Sequence, residues 1–307
     1  MTALYAVIDL GTNTFHLLIA TLSTEGTIEV IYRERVFVKL ASEGIEHIGP
    51  APFSRGIEAL KHFRKKLEEY NVPQVTAIGT AALRTAANGE IFLRTAELEA
   101  GIIIELITGD REAELITIGV LAALPPLNDR ILIMDIGGGS TEYIIASSEG
   151  VHWRRSFPIG VAILQRSFHH EDPISEYEIR QLESFLDHQL QSLQEALAEY
   201  PTHHLVGSAG TFDVMVDILR DGPPLTDRHH HDLLLDNLEE LHFRIISATL
   251  EERLAMPGIP PERADLIVVA MLLIRHTVAL AGITRITVSD YAMKEGILLQ
   301  GVRDLES

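Results

Sequence analysis

The sequence of 307 residues contains no cysteine, which excludes disulfides, thiolate metal sites and cysteine nucleophiles and agrees with a reducing compartment. It is poor in positive charge, with 25 Lys and Arg against 44 Asp and Glu, a net charge of -19. A general nucleic-acid binder is thereby excluded, because such proteins gain most of their affinity from basic surfaces that displace counterions from phosphates. Long hydrophobic runs are missing too. The most apolar stretch, Ile267 to Ile274, is far shorter than the ~20 residues that span a bilayer, and no basic region precedes an apolar stretch at the N-terminus. These absences lead us to expect a soluble, cytoplasmic protein without nucleic-acid or membrane partners.

What is present is a globular composition: 46% hydrophobic residues and a mean hydropathy of +0.15, enough for one large domain or two medium ones. The acidity is uneven. Residues 1–124 hold 11 Lys/Arg against 16 Asp/Glu, and the remainder holds 14 against 28, so the first part meets a polyanion with less repulsion.

Along the chain, Leu4 to Asp9, Phe15 to Thr21 and Ile28 to Val38 are β-rich runs separated by the turns Gly11-Thr12-Asn13 and Thr24-Glu25-Gly26, a three-strand antiparallel meander. A helix with Ile57, Leu60, Phe63 and Leu67 at helical spacing follows, then a strand at Val75 to Gly79, a helix at Glu90 to Ala100, a strand at Ile102 to Leu106 and a helix from Arg111 to Leu124 stopped by Pro125-Pro126. After the double proline the order begins again. Arg130 to Asp135, Ser140 to Ser147 and Val151 to Pro158 read as strands. Helices near Gly160 to Phe168 and Ser175 to Tyr200 come next, then a strand at His204 to Gly207 and a helical tract to Arg220. Long helices at Asp232 to Leu254 and Pro261 to Ala281 and a strand at Ile286 to Ser289 complete the second half. This duplication predicts two α/β domains, 1–124 and 125–307, with mixed sheets around an interdomain cleft. The segment Ala292 to Arg303 is expected to pack back on the first domain as a strap.

The informative residues occupy matched places in the two halves. Asp9-Leu10-Gly11-Thr12-Asn13-Thr14 closes the first strand of one half, and Asp135-Ile136-Gly137-Gly138-Gly139-Ser140-Thr141-Glu142 closes the first strand of the other. A strand ending in Asp and running into a Gly-rich turn with hydroxyls offers N–H groups to phosphate oxygens, while the carboxylate can hold hydrated Mg²⁺. Asp-x-Gly also occurs in ordinary hairpin turns, but two such turns at the same point of a duplicated fold favour the phosphate reading. A third turn, Val206-Gly207-Ser208-Ala209-Gly210-Thr211, follows a strand and opens a helix, where a helix N-terminus binds anions.

These segments, with Thr80-Ala81-Ala82-Leu83-Arg84, Ile107-Thr108-Gly109-Asp110-Arg111-Glu112-Ala113, Pro158-Ile159-Gly160 and Lys294-Glu295-Gly296, closely resemble the exopolyphosphatase and guanosine pentaphosphate phosphohydrolase (Ppx/GppA) family of the actin-like ATPase and sugar-kinase superfamily. The resemblance runs nearly end to end. It implies two ribonuclease H-like domains and Mg²⁺-dependent (or Mn²⁺-dependent) release of orthophosphate from the end of polyphosphate, from pppGpp, or from both. Carried over by motif, Glu112 resembles the general base, Asp135 and Glu142 the metal-binding carboxylates, and Asp9 their counterpart in the first domain. Gly11, Thr12, Asn13 and Thr14, then Gly137, Gly138, Gly139, Ser140 and Thr141, then Gly207, Ser208, Gly210 and Thr211 look like its phosphate loops. Arg84 resembles an arginine that contacts the anionic substrate. His16 stands where many relatives have Arg. Longer relatives carry a C-terminal HD-type domain, and the dozen or so residues after Ser289-Asp290 lead us to expect the two-domain core alone, in a state that allows a homodimer.

Two other activities fit the same loops: a small-molecule kinase of the superfamily, which would need an adenosine pocket, and a non-catalytic pppGpp sensor, which need not keep Glu112, Asp135 and Glu142. Within the motif that contains Glu112, Asp110 is the expected helix cap. The histidines at 229–231 cannot all point one way and are expected in an exposed loop after Pro223-Pro224. His169-His170 and His203-His204 read as loop or cap residues, Trp153 as packed on a strand, and Leu266, Val269, Leu273 and His276 as core. Arg33, Arg35, Lys39 and Arg84 are expected to form a positive track, the alternative being surface pairs with Glu34 and Glu43.

Overall fold

A computed structural model describes residues 4–23, 26–208, 210–219 and 229–306, with side chains through 301. Thr24 and Glu25 of the second turn, Ala209 of the third loop, Arg220 and Pro223-Pro224 lie outside the described residues. In chain order the first elements are Leu4–Leu10 (β1), Thr14–Leu22 (β2), Ile28–Phe37 (β3), Pro50–Glu69 (α1), Gln74–Gly79 (β4), Ala81–Thr85 (α2), Gly89–Ala100 (α3), Glu105–Leu106 (β5) and Gly109–Ala123 (α4). Then come Ile131–Ile136 (β6), Thr141–Ser147 (β7), Gly150–Phe157 (β8), Val161–Phe168 (α5), Glu176–Gln189 (α6), Gln191–Glu199 (α7), His204–Ser208 (β9), Gly210–Leu219 (α8) and His230–Leu233 (β10). Leu235–Ile246 (α9), Leu250–Ala255 (α10), Ile267–Ala281 (α11), Arg285–Ser289 (β11) and Met293–Glu306 (α12) complete the fold.

The chain forms two units, Met1–Gly119 with Ala292–Ser307, and Val120–Tyr291. The passage from one to the other falls within α4 rather than at Pro125-Pro126, because that helix runs unbroken to Ala123. The first unit carries a sheet of order β3-β2-β1-β4-β5, antiparallel from β3 to β1 and parallel from β1 to β5. Helix α1 starts on Pro50, whose missing N–H costs nothing in a first turn, and buries Ile57, Leu60, Phe63 and Leu67. Burying each such side chain contributes about 2 kcal/mol. The C-terminal helix α12 packs on β1 and β2 of this unit. It approaches α4 backbone to backbone: a Cβ on Gly119 would lie 2.0 Å from the Ala292 carbonyl oxygen, and one on Gly296 would lie 1.8 Å from that of Leu115.

The second unit repeats the pattern as β10-β11-β9-β6-β7-β8, again with an antiparallel meander joined to parallel strands. All six residues of β6 are buried, as expected of a central strand covered on both faces. The repetition reaches small details. Each meander has a register shift, at Ile19/Ala20 and at Ile145/Ala146, the same number of residues beyond Asp9 and Asp135.

Three expected helices are divided. The tract 232–254 is strand β10, which pairs antiparallel with β11, followed by α9 and α10. The break before α10 is made by a capping box in which Thr249 and Glu252 each bond the other's backbone N–H. The tract 175–200 is α6 and α7, with Leu190 between them, and 261–281 opens as a 3-10 turn, Pro261–Arg263, ahead of α11. Helix α11 buries nine of its residues and ends on Gly282 at φ +57, a left-handed cap conformation that suits glycine.

Candidate active site

In the first unit the chemistry-bearing residues gather at the C-terminal ends of β1, β4 and β5. Asp9 is the penultimate residue of β1, and the hairpin closes with the Gly11 N–H donating to Thr14 O at 3.1 Å. The Thr12 carbonyl accepts from Leu40 N at 2.8 Å, and that of Asn13 from Val38 N and Lys39 N at 2.9 Å. A trans peptide directs its C=O and N–H oppositely. With these carbonyls anchored on 38–40, the N–H groups of Asn13 and Thr14 turn the other way, the arrangement that cradles an anion. Lys39 adopts φ +49 here, uncommon for a residue with a Cβ.

At the same end of the sheet, Thr80 N donates to Leu10 O at 3.3 Å and Ile107 N to Gly79 O at 3.2 Å, which fixes the segments carrying Arg84 and Glu112. Thr108 caps α4, its Oγ1 accepting from Arg111 N at 3.2 Å. Asp110, expected as the cap, is instead a first-turn residue. Glu112 is therefore one turn into the helix and buried, with Arg84 Nη1 at 3.7 Å from its Oε2.

In the second unit the Gly137 N–H donates to Ser140 O at 2.9 Å, matching Gly11 and Thr14, and a Cβ on either glycine would meet that carbonyl at 3.0 Å. The carbonyls of Gly137 and Gly138 accept from Val161 N and Ala162 N, at 3.0 and 2.9 Å. As in the first loop, the following N–H groups, those of Gly138 and Gly139, turn away. Gly160 is required by close approach: a Cβ there would sit 2.4 Å from the Gly138 carbonyl carbon. Thr141 is buried and donates to Ile159 O at 3.1 Å, tying the loop to the Pro158-Ile159-Gly160 turn. Ser208 at the end of β9 is fully buried and donates to Asp135 Oδ2 at 2.6 Å, and Thr211 is buried in the first turn of α8. Gly210 has φ +47, and a Cβ on it would lie 2.8 Å from Arg263 Nη1. That guanidinium therefore lies against the third loop, more than fifty residues away along the chain.

Asp135 and Glu142 are direct cross-strand partners. Opposed residues of antiparallel strands have Cβ atoms roughly 5 Å apart, and two like charges there weaken the pairing. Both are buried, Asp135 8% and Glu142 1% exposed. Among the described residues no group of three or more His, Asp or Glu forms a metal cage. A pair of hard oxygen donors fits Mg²⁺, which keeps several waters and is commonly held by one or two carboxylates. Ser156, not singled out from the sequence, donates to Glu142 Oε1 at 2.6 Å.

The histidines at 229–231 diverge: His229 stacks on Tyr291, His230 Nδ1 donates to Ala123 O, and His231 Nε2 bonds Asp290. His230 and His231 lie in strand β10 rather than in a loop. Arg33 and Arg35 are exposed on one face of β3. Glu34, on the other face, is held by Tyr32 and His62 at 2.8 and 2.9 Å and is not their partner. Arg84 is engaged by Ile107 O and Glu112. No helix among the described residues is long and apolar enough to cross a membrane.

The sequence profile of the Ppx/GppA phosphatase family matches residues 19–304. Among solved structures, an exopolyphosphatase from Cytophaga hutchinsonii is 37% identical, with a TM-score of 0.92 over 97% of this chain and 98% of that one. The Aquifex aeolicus member of the Ppx/GppA family is 25% identical, with a TM-score of 0.82 over the whole of both chains.

Proposed function

The chain belongs to the Ppx/GppA phosphatase family, and from that premise we propose that this phosphohydrolase releases orthophosphate from the end of inorganic polyphosphate or the 5'-terminal phosphate of pppGpp, with a divalent cation as cofactor. The observation that carries the reading is the pairing of Asp135 with Glu142 beside a loop whose N–H groups turn outward. Carboxylates for a cation next to donors for phosphoryl oxygens are what phosphoanhydride hydrolysis demands.

In the proposed reaction the N–H groups of Gly138 and Gly139, beside Asp135 and Glu142, bind non-bridging oxygens of the terminal phosphoryl group, and those of Asn13 and Thr14 are the first unit's donors to phosphate oxygens. Asp135 and Glu142 hold the cation, which when bound neutralises charge on the transferring group. Glu112 accepts a proton from the attacking water as its oxygen bonds phosphorus, and the bond from phosphorus to the bridging oxygen breaks. The shortened polyphosphate, or ppGpp, departs with the bridging oxygen, and Glu112 passes the proton to solvent. Arg84 keeps a positive charge beside Glu112, 3.7 Å away.

The test is phosphate release from tripolyphosphate, long polyphosphate and pppGpp with Mg²⁺ and no acceptor. Release without an acceptor supports hydrolysis. Transfer only to an added acceptor supports a kinase, and tight pppGpp binding without release supports a sensor.

A further inference from the structure

We propose that Ser156 and Ser208 are positioning residues that orient the two carboxylates for the cation, which deepens the reading above and rests on Asp135 and Glu142 as its ligands. Register aligns four side chains across the second sheet. Across the second sheet, Ser156 on β8 pairs with Glu142 on β7, Glu142 with Asp135 on β6, and Asp135 with Ser208 on β9. Residues in register point to the same face of a sheet, so the four make one row of hydroxyl, carboxylate, carboxylate, hydroxyl. Both outer hydroxyls donate inward at 2.6 Å, Ser156 to Glu142 Oε1 and Ser208 to Asp135 Oδ2.

The energetics give the hydroxyls a task. Two buried carboxylates at cross-strand distance repel each other, and a short hydrogen bond to one oxygen of each disperses charge and fixes the carboxylate plane. Fixing the plane determines where the second oxygen points. Groups that orient metal ligands in this way typically change metal affinity by about 10- to 100-fold when removed.

The duplicated unit supplies an internal comparison. The corresponding row in the first sheet is Arg35, His16, Asp9 and Ile78. Its flanking positions hold a cation and a hydrocarbon where the second row has hydroxyls, and its second position holds an imidazole instead of a carboxylate. The same backbone has thus been furnished for a cation in one unit only, and Asp9 stands in a row without the second carboxylate or the serine donors.

The test is a titration of the full chain with Mn²⁺, read by electron paramagnetic resonance without substrate, for wild type, Ser156→Ala, Ser156→Thr, Ser208→Ala and Asp135→Ala. Circular dichroism verifies folding of each. We expect Ser156→Ala and Ser208→Ala to weaken Mn²⁺ binding by about 10- to 100-fold. Ser156→Thr, which keeps the hydroxyl, restores most of it, and the Mg²⁺ concentration for half-maximal phosphate release moves by the same factors. Wild-type Mn²⁺ affinity in both serine-to-alanine variants, with binding lost in Asp135→Ala, would overturn the positioning role and leave the cation reading intact. A wild-type chain that binds no Mn²⁺, or an Asp135→Ala variant that binds as wild type does, would overturn the cation reading and this inference with it.

Discussion

Arg84 Nη1 lies 3.7 Å from Glu112 Oε2 while donating to the Ile107 carbonyl at 2.7 Å. The arginine is thus held at the strand end by the backbone and presents its charge to the buried carboxylate. Because the proposed reaction needs Glu112 as a base, Glu112→Gln should lower kcat between about a hundred- and ten-thousandfold. The amide preserves size and loses basicity, so affinity for pppGpp by calorimetry should stay near wild type. Equal losses of affinity and turnover would make Glu112 a binding group.

Removing the neighbouring cation has a different signature. Arg84→Ala removes the guanidinium that stands 3.7 Å from Glu112, so kcat should fall with the loss of positive charge at the reacting centre. If Arg84 also meets the polyanion, KM should rise, more for long polyphosphate than for tripolyphosphate, and the excess should shrink at high salt as screening shortens the reach of charge. A KM change independent of chain length and salt would confine Arg84 to Glu112 and the terminal phosphates.

The repeated βββ order, the two Asp-Gly hairpins and the mixed sheets were legible because glycine turns and apolar alternation are local signals. Register was not. Counting outward from the β7–β8 turn, with Ser147 opposite Gly150, places Arg155 across from Glu142. The bulge at Ile145/Ala146 shifts the pairing by one residue and brings Ser156 there instead. A one-residue shift exchanges the faces of a strand, so the hydroxyl partner of Glu142 depends on an irregularity that composition does not announce. Strand β10 escaped for a related reason: four residues with three polar ones carry little β signal, and the partner β11 that stabilises it comes more than fifty residues later. Arg263 resembles any surface arginine until Gly210 is seen against it.

Metal dependence should be absolute in the proposed mechanism. Excess EDTA should stop phosphate release and added Mg²⁺ restore it. Asp135→Ala and Glu142→Ala should each reduce kcat/KM by several orders of magnitude at ordinary Mg²⁺, because the protein donors alone do not offset the charge of a triphosphate-like end. Undiminished turnover in EDTA would remove the cation from the mechanism.

The second unit should be the acid-labile one. Burial, helped by Arg275 and opposed by Glu239, holds His242 down to about 4 from the ordinary 6.5. His169, His204 and His276 are also lowered, each first by burial, with Arg253 acting on His169 and Arg285 on His204. A folded pKa below the unfolded one gives stability that is complete above pH 6.5 and is lost as pH falls through the folded value. For His242 the loss should be complete near pH 4 and amount to about 2 kcal/mol after partial solvent screening. Thermal melts at pH 7.5 and 4.5 should show a smaller decrease for His242→Leu than for wild type. Equal slopes would mean that His242 does not titrate on unfolding.

The close crossing of α4 and α12 should respond sharply to single methyl groups. A Cβ at Gly119 would stand 2.0 Å from Ala292 O, and one at Gly296 would stand 1.8 Å from Leu115 O, both against backbone that cannot rotate away. Overpacking of this kind costs about 1–3 kcal/mol, enough to push the helices apart. Gly301, on the same helix α12, has nothing within 4 Å of its would-be Cβ, so Gly301→Ala should be neutral or gain up to about 1 kcal/mol from helix propensity. Gly119→Ala and Gly296→Ala should lower the melting temperature and speed proteolysis of the C-terminal segment, while Gly301→Ala should do neither. Because Glu112 lies near the start of the helix that contains Gly119, we further expect the two crossing variants to lower kcat under conditions where they remain folded. If all three alanines behaved alike, the effect would be one of helix propensity, and the contact between α4 and α12 would have no part in holding Glu112.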